Sequence, residues 1–259
     1  VLKVIGVLGA ERSGISRVTS LLSGFDGLSV KEDIFNPKAA VSLEAESGAL
    51  GQVAGIADVT GSGDPRLLEW MRENPGKVID WLVERANGKV LVFKLLDNQL
   101  VERAQREALL KRSDFGALMV RRSPIDIYIS LLKTHIVKAA RYVDTTNVQV
   151  TGQPEQYLAV EARRRVGREL SLMTLTSARR PVADVSYASE IARDDAVLAD
   201  ALARKLTGMG LSLGAFSAIK GPKLVRQDRG TLYPQKMTNW AEFAEALKKR
   251  GIYFQAFQE

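Results

Sequence analysis

The sequence predicts an α/β fold, a parallel β-sheet flanked by helices, as one domain over residues 1–259. Five short apolar runs recur along the chain, at 2–8, 28–30, 89–96, 115–120 and 181–187, and stretches with helical spacing separate them. The runs are mostly apolar rather than alternating, the pattern of strands buried on both faces. Strands that alternate with helices pair in parallel. Such sheets bind ligands at the carboxyl ends of their strands, so the loops after residues 8, 96 and 120 are expected on one rim.

The first run feeds "GAERSGISRV" and a helix over 14–24. The run at 28–30 leads into "KEDIFNP" and then into 38–64, a stretch of small residues expected to act as a mobile cover. Residues 65–87 read as two short helices broken at Pro75–Gly76, since proline ends a helix or opens the next. A helix over 97–112 takes Asp97 as its N-cap, and one over 124–141 opens with Ser123 and Pro124, a cap and a first-turn proline. Long helices are expected over 154–179 and 195–209, and Thr238 or Asn239 caps a last one.

Composition narrows the function. Apolar residues make up 46% and charged residues 26%, ordinary for a globular chain. The absence of cysteine excludes disulfides and thiolate metal sites. No run is long enough to span a membrane, and a cytoplasmic location is expected. The net charge of +7 favours an anionic partner. Base concentrates at Arg163, Arg164, Arg165 and Arg168, and at Lys220, Lys223, Arg226 and Arg229. Nucleic acid is not the expected partner: aromatic residues are 7% and are not interleaved with these clusters.

The first loop is built for a phosphate. A loop that holds a nucleoside triphosphate reads G-x-x-x-x-G-K-[ST]. Gly9, Gly14 and Ser16 match that spacing, but Ile15 stands where the lysine belongs, and the loop carries Arg12 instead. The amides around Ser13 to Ser16 open a helix, where unpaired N–H groups and the helix dipole favour an anion. Arg12 adds a cation able to make bidentate contacts. The second segment, "VRRSPIDIYIS", puts Arg122 before a helix start, Asp126 in its first turn and Ser130 on the same face.

Together the two segments resemble the sulfotransferases that use 3′-phosphoadenosine-5′-phosphosulfate, bacterial members included. Arg122, Pro124, Asp126 and Ser130 match every fixed position of that family's R-x-P-x-D-x-x-x-S motif. The resemblance implies a P-loop-like sulfotransferase fold in which Arg12, Ser13, Gly14, Ile15, Ser16 and Arg17 form the loop for the 5′-phosphosulfate. It implies that Arg122 and Ser130 hold the 3′-phosphate, without magnesium or any other metal. Tyr187, in "DVSYASEI", corresponds to a tyrosine that contacts the adenine, although Ala188 and Ser189 stand where acidic residues are usual. Arg229 and Gly230 correspond to a basic loop that closes over the 3′-phosphate.

The expected reaction is sulfuryl transfer to a hydroxyl or amine of a small-molecule, glycan or lipid acceptor, releasing adenosine 3′,5′-bisphosphate. Arg12 is expected to stabilise charge on the leaving phosphate, and a general base is needed near the loop. Cytosolic animal members use a histidine after the third strand, where this chain has Asp97 and Asn98. Its one histidine, His135, reads as a surface residue. Other members use a carboxylate after the second strand, which makes Glu32 and Asp33 alternatives; Glu44 and Glu46 are further ones. Lys94, at the end of the third strand, reads either as a contact to the transferring sulfuryl group or as a buried strand-end lysine without a role. A P-loop kinase or hydrolase, and a nucleotide-binding member without catalysis, are the alternative functions.

Overall fold

The computed structural model describes residues 1–100, 102–138, 143–217, 230 and 232–259. The amino-terminal half builds β1 (Val4–Gly9), α1 (Ile15–Leu22), β2 (Leu28–Lys31), α2 (Ser47–Ala54), α3 (Pro65–Glu73), α4 (Pro75–Arg85), β3 (Val90–Leu96) and α5 (Arg103–Leu110). Then come β4 (Phe115–Arg121), α6 (Pro124–Val137), α7 (Pro154–Ser177), β5 (Val182–Ser186), α8 (Asp195–Gly208), α9 (Tyr233–Lys236) and α10 (Trp240–Lys249). Each expected strand is present. All five pair in parallel in the order β2-β3-β1-β4-β5. The chain lays β2 and β3 on one side of β1 and then crosses to β4 on the other, so the carboxyl end of β1 is the switch point where such sheets bind ligands.

The central strands β1, β3 and β4 are buried on both faces, as their apolar runs require, while the edge strands β2 and β5 are partly exposed. One face packs Leu8, Phe93, Leu95, Phe115 and Met119 against α3, α4, α5 and Leu175 of α7. The other packs Val7, Val92, Leu118 and Val185 against α1 and α8. A third cluster joins Tyr128 of α6, Tyr157 of α7 and Phe243 of α10. Each fully buried side chain of this size contributes roughly 1.5–3 kcal/mol relative to exposure.

Three local expectations are corrected. The helix expected over 97–112 begins only at Arg103, and Asp97 does not cap it. The Gln99 side chain accepts from Leu96 N (3.1 Å) and Leu100 adopts a φ of +48°, so residues 97–100 form a turn. The stretch 38–64 is anchored, because Ala40, Leu43 and Leu50 are buried in the first cluster. Asn239 precedes α10 without a side-chain cap, because its amide instead pairs with the backbone of Gly152 at 2.8 and 2.9 Å. Trp240 is a packing residue, stacked on Tyr233 at 4.9 Å.

Candidate functional site

The loop after β1 turns sharply. Arg12 and Gly14 both take left-handed backbone angles, φ +66° and +96°, a region that only glycine enters freely. Gly14 has a second constraint: a Cβ there would lie 2.9 Å from Ile191 Cγ2 and 2.9 Å from Tyr187 Cδ2. Glycine thus lets the start of α1 press against the turn Tyr187–Ile191, one turn of π-helix after β5.

The structure brings the two sequence segments into contact. Arg12 Nε donates to Ser130 Oγ at 3.1 Å, and Arg122 Nη1 donates to the Arg12 carbonyl at 2.7 Å. The Arg122 guanidinium also lies over the Tyr187 ring, 4.1 Å from its centroid, a cation–π contact that closes that ring face to a base. Ser123 fixes the start of α6, accepting from Asp126 N and donating to the Ala256 carbonyl at 3.1 Å. Asp126 anchors the carboxyl-terminal segment, accepting from Tyr233 Oη (3.3 Å) and Lys236 Nζ (3.2 Å).

Two buried side-chain atoms at this junction, Ser13 Oγ and Arg122 Nε, have no hydrogen-bond partner among the described residues. Buried polar atoms are nearly always satisfied, so these two donors, one on each segment, mark the junction as a place for an oxyanion. Arg17 is engaged elsewhere: it donates to the carbonyls of Ile191 (2.5 Å) and Arg193 (2.7 Å) and pairs with Asp195 (2.6 Å). Its fork clamps the π-turn to α8. Ile15 is buried in the core between α1 and the sheet. Arg229 lies outside the described residues, as do Lys220, Lys223 and Arg226; Gly230 is described and half-buried.

The candidate bases gather beneath α1. Lys94, with its side chain 3% exposed, reaches from β3 to Asp33 Oδ2 (2.5 Å) and to Ser16 Oγ (3.3 Å). Gln99 Nε2 donates to Asp33 Oδ1 at 3.3 Å. Glu32 accepts from Thr19 Oγ1 at 2.9 Å. Both carboxylates therefore flank the loop, with Asp33 already committed to an ammonium. Glu46 pairs with Lys31 (2.7 Å), while Glu44 and His135 are exposed.

Sequence reasoning missed how Asp97 is used. Its amide donates to the carbonyl of Gly9, the last residue of β1 (3.1 Å), which fixes it beside the loop. Its carboxyl is 11% exposed and 3.9 Å from Arg106 Nη2. Gly167 of α7 packs directly on it; a Cβ at that glycine would lie 3.1 Å from Asp97 Cβ. Burial outweighs Arg106, Arg164 and Arg168 and pushes the carboxyl up from 3.8 to about 6. Between those two values the folded chain holds a proton that the unfolded chain has lost. Asp97 therefore adds stability as pH falls through about 6, fully present below about 4 and lost as pH rises. We expect Asp97→Asn to remove up to about 3 kcal/mol of pH-dependent stability between pH 7 and pH 4. Urea denaturation at both pH values checks this; parallel profiles for wild type and variant would refute it.

Among the described residues, no helix is long and apolar enough to cross a membrane. No protein-family model matches the chain, and no curated protein matches it significantly.

Proposed function

We propose that the protein transfers a sulfuryl group from 3′-phosphoadenosine-5′-phosphosulfate to a hydroxyl or amine of an acceptor. The observation that carries this reading is the junction of the two segments. Arg12 meets Ser130, Arg122 meets the Arg12 carbonyl, and buried Ser13 Oγ and Arg122 Nε have no hydrogen-bond partner among the described residues. The strand order, with its switch point at the same loop, agrees with a P-loop-like sulfotransferase fold.

Lys94 favours sulfuryl over phosphoryl transfer. In P-loop NTPases the loop's Ser or Thr holds magnesium together with an acidic residue. Here the hydroxyl of Ser16 accepts from an ammonium instead, so the cation beside the loop is part of the chain. The nucleotide donor supplies an activated sulfuryl group when bound. Arg12, Ser13 and the first amides of α1 hold its 5′ end, and Arg122 and Ser130 hold its 3′-phosphate. Glu32, which accepts from Thr19 Oγ1, and Asp33, which pairs with Lys94, are the alternative carboxylates for taking the acceptor's proton.

The test is calorimetric binding of adenosine 3′,5′-bisphosphate beside ATP with magnesium. The expected result is micromolar bisphosphate binding, weak ATP binding, and a loss of about 2 kcal/mol or more for Arg122→Ala, the value of a charge-assisted hydrogen bond. Tighter ATP than bisphosphate would turn the reading toward a kinase or hydrolase.

A further inference from the structure

The sheet face beneath α7 changes character at its carboxyl rim. Leu95, Met119 and Val182 on that face are apolar. The next residues in the same alternation are Asp97, Arg121 and Asp184, since strand side chains repeat with a period of two. Arg106 of α5 reaches the same place, donating to Ser171 Oγ of α7 at 2.9 Å and lying 3.9 Å from Asp97. From α7, Arg164 and Arg168 recur one helical turn apart on the side of Gly167 that meets Asp97, whereas Arg163 and Arg165 point outward.

Four guanidinium groups thus face three carboxylates. Asp184 is taken by Arg121 (2.8 Å), Glu161 by Arg164 (2.7 Å), and Asp97 lies near Arg106. Arg168 is left half-buried, with no hydrogen bond or ion pair among the described residues. Burial, then the repulsion of Arg164 and Arg121, holds its guanidinium below the usual arginine range. The described residues contain four buried side-chain polar atoms without a partner. Two belong to the phosphate loop junction; the others, Arg106 Nη2 and Arg121 Nε, belong to this cluster. A half-buried cation among cations, beside two buried N–H groups that make no hydrogen bond among the described residues, is costly unless an anion joins it.

We infer that this arginine cluster beneath α7 binds an oxyanion carried by the acceptor, a carboxylate or a sulfate or phosphate ester, with Arg168 and Arg121 as its main contacts. Its use as an acceptor subsite rests on the proposed sulfuryl transfer, because the loop that Asp97 adjoins through Gly9 is where transfer would occur. The anion site itself stands without that reading.

Calorimetric titration of the whole chain with sodium sulfate, and in parallel with sodium acetate, separates the two ideas. Wild type is expected to bind two sulfate ions. Arg168→Gln and Arg121→Gln each keep the loop site and lose the other, weakening it at least tenfold. Arg122→Gln loses the loop site alone. Acetate saturating the second site at lower concentration than sulfate identifies a carboxylate acceptor; the reverse identifies an ester. Thermal unfolding at low ionic strength checks folding: Arg168→Gln, relieved of repulsion, melts no lower than wild type. Two full sulfate sites in both Arg168→Gln and Arg121→Gln, or an adventitious ion only, would overturn the inference. Two full sites in Arg122→Gln would instead count against the sulfotransferase reading and leave the α7 site standing.

Discussion

Arg12→Ala is expected to lower sulfuryl release roughly 100- to 1000-fold, the usual cost of removing one group that meets charge developing in a transition state. The structure makes this variant interpretable. The loop is held by its backbone: Arg122 grips the Arg12 carbonyl at 2.7 Å, and Gly14 lets α1 start against the π-turn. Alanine at residue 12 keeps the carbonyl and meets the same left-handed φ of +66°. The guanidinium disappears, and with it the 3.1 Å bond to Ser130 among its contacts. Arg12→Lys restores a charge but not the planar fork, so it recovers only part of the rate. Single-turnover hydrolysis of the labelled donor, with water as the acceptor and sulfate and the bisphosphate as products, gives the rate. Calorimetry with the bisphosphate gives affinity separately. A rate within about threefold of wild type, with affinity unchanged, would remove Arg12 from the chemistry.

Much of this site is legible in the sequence because its information is local. A glycine-punctuated loop between an apolar run and a helix, and an arginine before a capped, proline-led helix, are each written within a few consecutive residues. The strands are legible for the same reason, since full burial in a parallel sheet leaves an unbroken apolar run. What is not legible comes from distant pairings. Arg17 reads as a loop cation until the fold brings it to the carbonyls of Ile191 and Arg193. Asp97 reads as a helix cap until Gln99 turns the chain and Gly167 covers its carboxyl. Asp33 reads as a free carboxylate until Lys94 arrives from β3. In each case the residue type is legible and its partner is not, because charge pairing in a fold follows topology rather than spacing. Gly167, set inside an arginine run, is the one sequence signal that something approaches α7 closely.

The Lys94–Asp33 pair gives the largest expected effect on stability. Lys94 is 3% exposed and its nitrogen lies 2.5 Å from Asp33 Oδ2. Removing one member of a buried ion pair strands the other, which typically costs about 3–5 kcal/mol. Lys94→Ala should therefore lower the melting temperature by roughly 6–20 °C for a chain of this size. The second variant is the informative one. Lys94→Met combined with Asp33→Asn removes both charges at similar volume, and such replacements are often neutral or stabilising. Most of the lost stability is expected to return, while bisphosphate affinity stays weak, because no ammonium then meets Ser16, which Lys94 now reaches at 3.3 Å. Recovery of both stability and affinity would make the pair a packing feature. Recovery of stability alone would mean that the chain keeps a costly buried charge because the phosphate loop needs a fixed cation beside its hydroxyl.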